Sequence, residues 1–345
     1  MLLFLPYCIH NRIVSHNAHY LPVFIHLIMR LFIPFFILTV SCIFSCSTRI
    51  ELDVPESVPQ PVVYSLITED SSITVNVSKT VSIQESATLF VNDANVELWS
   101  GNHVIEKLMF AGDGTYKSSN AAQKDLTYTL FVDVPGFERI QASTKIPADV
   151  NIINGTINTD SYYDQQQMQY VSEVTISIDD PPNADNYYQV SFYNYVSGYN
   201  YVYNSNYEVI DSIFYERYGE LHYLNSKDPV IINEGDLQYY GDPGAIRSLV
   251  FSDELLAEDN TVTFLTQLGR EFSSKQIAVL RNISYDYYNY KKSWIRQNFN
   301  QGLGSFDPSN NFLTSNPNDL YTNMENGLGI FAAYSETHYE LEEIE

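Results

Sequence analysis

The sequence predicts a mainly β protein, with an N-terminal immunoglobulin-like β-sandwich over residues 61–148 and a second β-rich domain over residues 149–345. Two observations predict the sandwich: roughly seven short runs of strand-type residues follow one another, and turn residues separate them about every 8 to 12 positions. A third observation is that helix signals occur in two stretches of the second domain: a capping residue before an acidic first turn in one, and helical periodicity in the other. That domain should therefore contain one or two short helices.

The first 45 residues are predicted to be a signal peptide. Arg30 precedes a mostly apolar run over residues 31–44, and a small residue then leads into Cys46. This order of a basic residue, a short apolar stretch and a small residue before cysteine is typical of a bacterial lipoprotein signal. The run has 14 residues, whereas a helix needs about 20 to cross hydrocarbon. We suspect that translation begins at Met29, because the residues before it are only weakly apolar.

Cys46 is the predicted lipidation site, with Cys42 as the alternative. Ser45 and Ile43 suit the positions one and three residues before the modified cysteine. Diacylglycerol and palmitate on Cys46 would anchor the mature chain, since each buried methylene contributes roughly 0.8 kcal/mol. Residues 46–60 are polar and should form a lipidated tether. The predicted location is the outer membrane, on its periplasmic or its cell-surface side.

Composition excludes several classes of function. The chain carries 18 Lys and Arg against 42 Asp and Glu, and the segment before Cys46 holds two of the arginines, so the mature net charge is −26. Such a surface does not attract nucleic acid or anionic lipid. The other two cysteines, Cys8 and Cys42, are removed with the signal. Because Cys46 is acylated, no disulfide, thiolate metal site or cysteine nucleophile is expected.

The predicted strands of the sandwich alternate between apolar and polar residues. Three dipeptides mark tight turns between them: Gly101-Asn102, Asp113-Gly114 and Pro135-Gly136. The boundary to the second domain is expected at residues 146–149. The strands are predicted at residues 62–67, 73–78, 95–100, 103–108, 126–133 and 137–144.

The second domain continues the β pattern. Asp179-Asp180-Pro181 should end its first strand, because proline cannot continue a hydrogen-bonded ladder. A short helix should begin after Ser252, as N-cap, and end at Leu256. Strands are predicted at residues 173–178, 187–193, 277–283 and 329–334.

A longer helix is predicted over residues 286–298. Tyr287, Tyr290 and Trp294 fall on one stripe of this helix, with Ile295 beside them. The basic side chains in the same segment fall on the opposite side. The helix should therefore lie across a sheet and bury the aromatic stripe.

Tyrosines are concentrated between Tyr187 and Tyr240, where there are thirteen of them, interleaved with asparagines. A tyrosine joins an apolar ring to a polar tip, which suits wet binding surfaces and stacking on sugars. We interpret the segment as a Tyr-rich insertion that contacts a glycan, a peptide or a protein partner. The alternative is that tyrosine serves only as a good strand former with one exposed face. The candidate contact residues are Tyr199, Tyr201, Tyr203 and Tyr207.

Three motifs in the second domain resemble those of a known family. They are Ile178-Asp179-Asp180-Pro181 followed by Tyr187-Tyr188, the run over residues 283–290, and the terminal run over residues 321–334. Together with the lipoprotein cysteine and the leading strand, they resemble the exported lipoproteins grouped as domain of unknown function 4249. The resemblance covers essentially the whole mature chain. It implies a Gram-negative outer-membrane lipoprotein whose gene often neighbours a TonB-dependent receptor, and it supplies no catalytic residues.

Catalytic and metal-binding motifs give little support to an enzyme. His103, His222 and His338 are far apart and form no HExxH pair, and neither a GxSxG nor a Walker sequence occurs. Asp179 and Asp180 could ligate Ca²⁺ with Asp185, but a solvated pair that ends a strand is the favoured interpretation. We expect no metal and no cofactor.

The run Asn326-Gly327-Leu328-Gly329 lacks the remaining elements of a phosphate loop. These glycines should instead make a turn with positive φ, which lets the last strand pass close to another backbone.

The sequence therefore favours a non-enzymatic accessory lipoprotein that binds cargo for a TonB-dependent receptor or covers its mouth in nutrient uptake. One alternative is a hydrolase that acts on extracellular polysaccharide, which would need a cleft with a carboxyl group of strongly raised pKa. Another is a structural or adhesion module at the cell surface.

Overall fold

The computed structural model describes residues 58–82, 87–165, 168–182, 184–221, 224–226, 248–256, 259–266, 274–300 and 319–344. The predicted signal peptide, Cys46, the tether up to residue 57 and His222 lie outside the described residues. Among the helices of the described part, none combines the length and the apolar character needed to cross a membrane.

Strands dominate the described residues and confirm the prediction of a mainly β protein. One α-helix, α1 (Tyr285–Asn300), and one 3₁₀ turn, Asp253–Leu255, are present in this part of the chain. The strands are β1 (Pro61–Ile67), β2 (Ser72–Lys79), β3 (Leu89–Phe90), β4 (Asn95–Ser100), β5 (His103–Lys107), β6 (Met109–Gly112), β7 (Thr115–Ala121), β8 (Thr127–Asp133), β9 (Ile140–Lys145), β10 (Ile152–Asp164), β11 (Gln169–Ile178), β12 (Tyr187–Tyr203), β13 (Val209–Leu221), β14 (Leu224–Ser226), β15 (Leu249–Ser252), β16 (Thr261–Thr266), β17 (Ser274–Ile283), β18 (Leu328–Glu340) and β19 (Glu342–Glu343).

The strands that the structure describes form three sheets. The largest has the order β13-β12-β17-β18-β1-β2-β7-β6, with β15 paired to β12 and β3 paired to β2. The second has the order β14-β16-β11-β10-β19, and the third β5-β4-β8-β9. Pairing is antiparallel except between β1 and β18 and between β10 and β19. The large sheet therefore joins the first strand of the predicted sandwich to the last long strand of the second domain.

The first hydrophobic core contains residues from the two sheets of the N-terminal part. Val63 and Val75, on β1 and β2, are fully buried in one cluster with Val96, Leu130 and Ile140 of the smaller sheet. Alternate residues of each strand point into this core, as strand geometry requires. The alternation read from the sequence thus reflects burial between two sheets.

All three predicted turns of the N-terminal part are confirmed. Gly101 joins β4 to β5 with φ = 54°, and Gly136 lies between β8 and β9 with φ = 84°. Asp113 and Gly114 join β6 to β7 with φ values of 45° and 65°. Positive φ at both central residues is the geometry that matches the twist of a tight hairpin, and Asp-Gly is among the pairs that adopt it readily.

A second core lies between β10, β11 and β16 on one side and β12, β15 and β17 on the other. Its fully buried side chains include Ile176 and Phe264 from the smaller sheet and Phe192 and Phe251 from the larger.

The chain passes from the first core to the second between Ile146 and Val150, close to the predicted boundary. However, Phe331 and Ala333 of β18 lie in the first core, and Ser57–Glu345 form one compact unit. The two cores therefore share the large sheet.

Helix α1 packs across the large sheet, against β18, β15 and β12. Its buried residues are Tyr287, Tyr288 and Ile295, while Tyr290 is half-buried. The placement of Trp294 on the buried stripe was wrong: the side chain is 40% exposed, and Lys291 Nζ lies 5.1 Å from the centre of its ring. Tyr288 takes the place of Trp294 on the side of the helix that faces the sheet. The buried stripe is therefore rotated about the helix axis by about one residue relative to the predicted stripe.

The short helix is a 3₁₀ turn, and its predicted cap is also corrected. Ser252 occupies the N-cap position but makes no capping hydrogen bond with its side chain. Instead, Asp253 Oδ2 accepts a hydrogen bond from the backbone N–H of Asn186 at 2.7 Å, which fixes the turn to the start of β12.

The run over residues 326–329, which leads into β18, confirms the prediction of a close approach at Gly329. The positive φ predicted for both glycines is wrong for Gly327, because Asn326 takes the positive φ, at 60°, in its place. Gly329 has φ = 108° and is paired with Val63 of β1. A Cβ atom at this position would lie 2.8 Å from the carbonyl carbon of Val63 and closer still to its oxygen. Only glycine fits here without a shift of the paired strands.

Candidate functional site

The four candidate tyrosines lie on a hairpin formed by β12 and β13. Strand β17 accompanies β12 as far as Val196, which pairs with Ser274. Beyond that point, among the described strands, residues 197–203 of β12 pair only with residues 209–216 of β13. We call residues 197–216 the tyrosine ribbon. The predicted strand over residues 187–193 is therefore the first part of a 17-residue strand.

Asn204 closes the turn of the tyrosine ribbon. Its Oδ1 accepts hydrogen bonds from the backbone N–H of Asn206 at 2.8 Å and of Glu208 at 3.0 Å. Its backbone N–H donates to the Glu208 carbonyl at 2.9 Å. Asparagine side chains commonly stabilise turns in this way. Tyr207, with φ = 62° and 88% of its surface exposed, lies in this turn and not on either strand.

One face of the tyrosine ribbon is aromatic. Tyr199, Tyr201 and Tyr203 alternate along β12 and are 55%, 54% and 55% exposed. Directly opposite residues of an antiparallel pair share a face, so Phe214 and Val209 of β13 lie on the same side. The ring centres of Tyr199 and Phe214 are 5.2 Å apart, and those of Tyr199 and Tyr201 are 6.4 Å apart. We call these five residues and Ser212, which pairs with Tyr201, the aromatic face.

The opposite face of the tyrosine ribbon is mixed. Val202 pairs with Asp211, and Asn200 pairs with Ile213, so apolar and polar side chains alternate. Tyr215 fills the space above Gly198, where an added Cβ atom would lie 3.0 Å from its hydroxyl oxygen. Glycine at this position thus lets an aromatic ring pack flat on the neighbouring strand.

Charges on the tyrosine ribbon are all acidic. From residue 187 to 216 the sequence contains Glu208, Asp211 and Glu216 and no lysine or arginine. The Glu216 carboxylate accepts a hydrogen bond from the Tyr195 hydroxyl at 2.9 Å, and Asn204 Nδ2 donates to Glu208 at 2.8 Å.

The structure brings Tyr199, Tyr201 and Tyr203 together on one surface and places Tyr207 apart from them. The segment is a strand, as the alternative interpretation held, and its outer part is exposed on both faces. That these tyrosines bind a ligand or partner stays a prediction.

The residues that carry the family resemblance have structural roles. Asp180, just after β11, accepts hydrogen bonds from the Tyr188 hydroxyl and from Asn186 Nδ2. Asn282, which directly precedes the run over residues 283–290, also makes a structural contact: its Nδ2 donates to the carbonyl oxygen of Ala148 at 3.0 Å, between the two cores. Burial and the hydrogen bond to Asp180 raise the pKa of Tyr188, which keeps the hydroxyl protonated as a donor.

The same holds for the motifs around α1. Ser284 Oγ accepts a hydrogen bond from the Tyr287 N–H, which caps the helix, and another from the Ala333 N–H of β18. Asn323 bridges both the N–H and the carbonyl of Phe331, at 3.0 and 2.8 Å. These contacts hold the helix and the last long strand on the large sheet.

The acidic group near the 3₁₀ turn does not form a metal site. Burial raises the pKa of Asp253, and the nearby carboxylates of Asp180 and Asp185 raise it further. The hydrogen bond from the Asn186 N–H acts in the opposite direction and lowers it, but the net shift is upward. In the described part of the chain, no three His, Cys, Asp or Glu side chains are grouped so that they could hold a metal ion. Asp179 is exposed, as predicted, but Asp180 is engaged by Tyr188, so the two do not form a simple solvated pair.

Sequence reasoning missed a half-buried arginine, Arg281 on β17, near α1. Arg281 Nε donates to Glu336 at 2.6 Å, and its guanidinium lies 4.4 Å from the centre of the Tyr334 ring. Burial alone would raise the pKa of Glu336, but hydrogen bonds from His338 and Arg281 hold it below its ordinary value. The signal available in the sequence was only an arginine directly after the apolar run over residues 277–280.

These observations define a β-rich protein with two cores in one compact unit and an aromatic hairpin that extends past the described part of β17. The chain belongs to the family described as domain of unknown function (DUF4249), whose model matches residues 47–340. This confirms the resemblance seen in the motifs. A comparison with curated proteins finds no match.

Proposed function

We propose that this protein is an outer-membrane-anchored lipoprotein that works without catalysis as a binding or accessory component of a TonB-dependent receptor in nutrient uptake. The observation that carries the proposal is the aromatic face of the tyrosine ribbon. In this proposal Cys46 holds the diacylglycerol anchor, residues 46–60 are the tether, and an immunoglobulin-like N-terminal sandwich is the platform next to the membrane.

The exposure of the aromatic face supports a role in binding. Tyr199, Tyr201, Tyr203 and Phe214 each leave about half of their surface in water, although polar residues would satisfy the same strand pairing. A two-stranded ribbon is also only marginally stable by itself in water. A solvated projection that retains several aromatic side chains is therefore better explained by contact with another molecule than by folding.

The pattern of carboxylates supports a non-enzymatic role. Asp253 has a raised pKa, but its Oδ2 accepts a hydrogen bond from the Asn186 N–H at 2.7 Å. Asp253 belongs to the turn that follows β15, and this hydrogen bond ties the turn to the start of β12. This arrangement is one in which a carboxylate stabilises a local turn. A carboxylate held in this way is a poor candidate for the general acid that the hydrolase alternative needs.

Purification from native membranes tests the proposal. A tagged copy of the full chain, extracted in a mild detergent, should retain a TonB-dependent β-barrel receptor that mass spectrometry identifies in comparable amount. A tagged lipoprotein of the same membrane from another family is the control for nonspecific retention. Recovery of the tagged chain alone, or of the same receptor with the control, would contradict the proposal.

A further inference from the structure

We propose that the aromatic face binds an uncharged polysaccharide with an extended backbone. This inference rests on the proposed function and names the class of ligand that the tyrosine ribbon would take. It follows from three properties of the ribbon: the position of the aromatic residues on a strand face, the purely acidic character of the ribbon's charges, and the regular spacing of the tyrosines along the strand.

The position on the face favours a sugar over an extended peptide. A peptide strand adds to a sheet through backbone hydrogen bonds at an edge strand, and in the described part of this sheet the edge strand that belongs to the ribbon is β13. The side chains of Tyr199, Tyr201 and Tyr203 stand roughly perpendicular to the sheet and offer no backbone groups. They present apolar ring faces with hydroxyl tips, which match the C–H faces and hydroxyl groups of a sugar ring.

The charge distribution selects an uncharged ligand. None of the residues of the aromatic face is ionisable near neutral pH, since they are three tyrosines, a valine, a serine and a phenylalanine. Glu216 pairs with Ser197 and so lies on the same side of the ribbon, at one end of the row, while Glu208 and Asp211 lie elsewhere on the ribbon; the whole chain has a net charge of −24. An anionic polysaccharide would be repelled, and so would a second copy of the same acidic ribbon.

The spacing of the rings favours a chain over a single small sugar. Tyr199, Tyr201 and Tyr203 occupy every second position of an extended strand, so their Cα atoms form a row roughly 13 Å long. Phe214 widens one end of the row, with its ring 5.2 Å from that of Tyr199. A row of rings along one direction matches an extended polymer, whose successive sugars can stack on successive tyrosines.

Affinity electrophoresis in native gels tests this inference. The full chain in mild detergent is run through gels that contain xyloglucan, laminarin, soluble starch or galactomannan, with polygalacturonate as the anionic comparison. At least one neutral polysaccharide should slow the wild type, and polygalacturonate should not. The triple variant Tyr199→Ser, Tyr201→Ser, Tyr203→Ser should bind that polysaccharide roughly tenfold more weakly or worse.

Two variants keep the test independent of folding. Changing the same three tyrosines to phenylalanine preserves the rings, so most of the retardation should remain. The matched control is Tyr162→Ser, Tyr163→Ser, Tyr170→Ser, which removes three comparably exposed tyrosines from the β10–β11 hairpin. This control should bind as the wild type does. Circular dichroism of each variant reports whether the β content is kept.

The inference is overturned if no neutral polysaccharide in the panel slows the wild type, or if the serine triple variant and the β10–β11 control behave alike. Stronger retardation by polygalacturonate also overturns it. Failure here, together with recovery of the receptor in the membrane experiment, leaves the proposed function standing and refutes only the ligand class. Loss of the receptor with the serine triple variant and no glycan binding would make the ribbon a protein contact.

Discussion

The approach of β18 to β1 gives the sharpest stability prediction, for the substitution Gly329→Ala. Two costs add at this position. The first is backbone strain, because φ = 108° disfavours any residue with a Cβ atom, at about 1–3 kcal/mol. The second is overlap, because the new Cβ atom would lie 2.8 Å from the Val63 carbonyl carbon and nearer to its oxygen. Relieving this overlap must displace a strand whose Val63 side chain is fully buried, for about another 1–3 kcal/mol.

Gly112 provides a matched control that separates the two costs. Its φ is 107°, but an added Cβ atom would meet nothing within 4 Å. Gly112→Ala should therefore carry the strain alone, and Gly329→Ala should lose about 2–6 kcal/mol in total. Urea unfolding of the full chain, followed by circular dichroism, measures the two free energies of unfolding. Equal losses for the two variants would refute the argument that the approach to Val63 requires glycine.

Three further predictions concern the anchor, an edge strand and the ribbon turn. In cell fractionation, Cys46→Ala should release the chain from the membrane fraction, while Cys42→Ala should leave it bound. The opposite result would show that Cys42 is the acylated residue. The Glu106 carboxylate accepts four hydrogen bonds from residues 119–120. Burial would raise the pKa of Glu106, but these hydrogen bonds lower it below its ordinary value. Ionised Glu106 therefore stabilises the fold above its unfolded-state pKa of about 4.3, and this stabilisation is lost as the pH falls through the lowered pKa of the folded state. Because the carboxylate is largely exposed, Glu106→Gln should cost under about 1 kcal/mol at pH 7 and flatten the pH dependence of unfolding below pH 5; an unchanged pH profile would exclude this role. Asn204→Ala should speed amide hydrogen exchange in the ribbon without altering global stability, and unchanged exchange would show that its side chain does not hold the turn.

Local features of the fold could be predicted from the sequence because they depend on neighbouring residues. The turn at Gly101 and the strand that ends before Asp179 both follow from backbone preferences over a few positions. Helix α1 was predicted within two residues of its ends, but Trp294 was placed on the wrong side. The sequence does not show how an aromatic helix is rotated about its axis relative to the sheet, because tyrosine and tryptophan tolerate half-exposed positions.

Features that depend on distant pairing were not visible in the sequence. The parallel pairing of β1 with β18 joins residues more than 260 positions apart, as in the pair Val63 and Gly329. The full length of β12 was also missed, since Asn200 and Gly198 are poor strand formers by themselves. Their conformation is fixed by β13, whose register places Tyr215 over the glycine and Ile213 beside the asparagine.

The family motifs and the tyrosine ribbon differ in their structural roles, and this difference determines which residues should be changed to test function. Asp180, Ser284 and Gly329 belong to the motifs that match the family, and each one holds a strand or a helix end in place. Substitutions there act through folding, so a loss of binding would say nothing about the ligand. In the described part of the chain, no hydrogen bond joins a side chain of the aromatic face to either core, so these side chains can be changed while the hydrogen bonds of Asp180 and Ser284 remain. Only changes on that surface can separate recognition from stability.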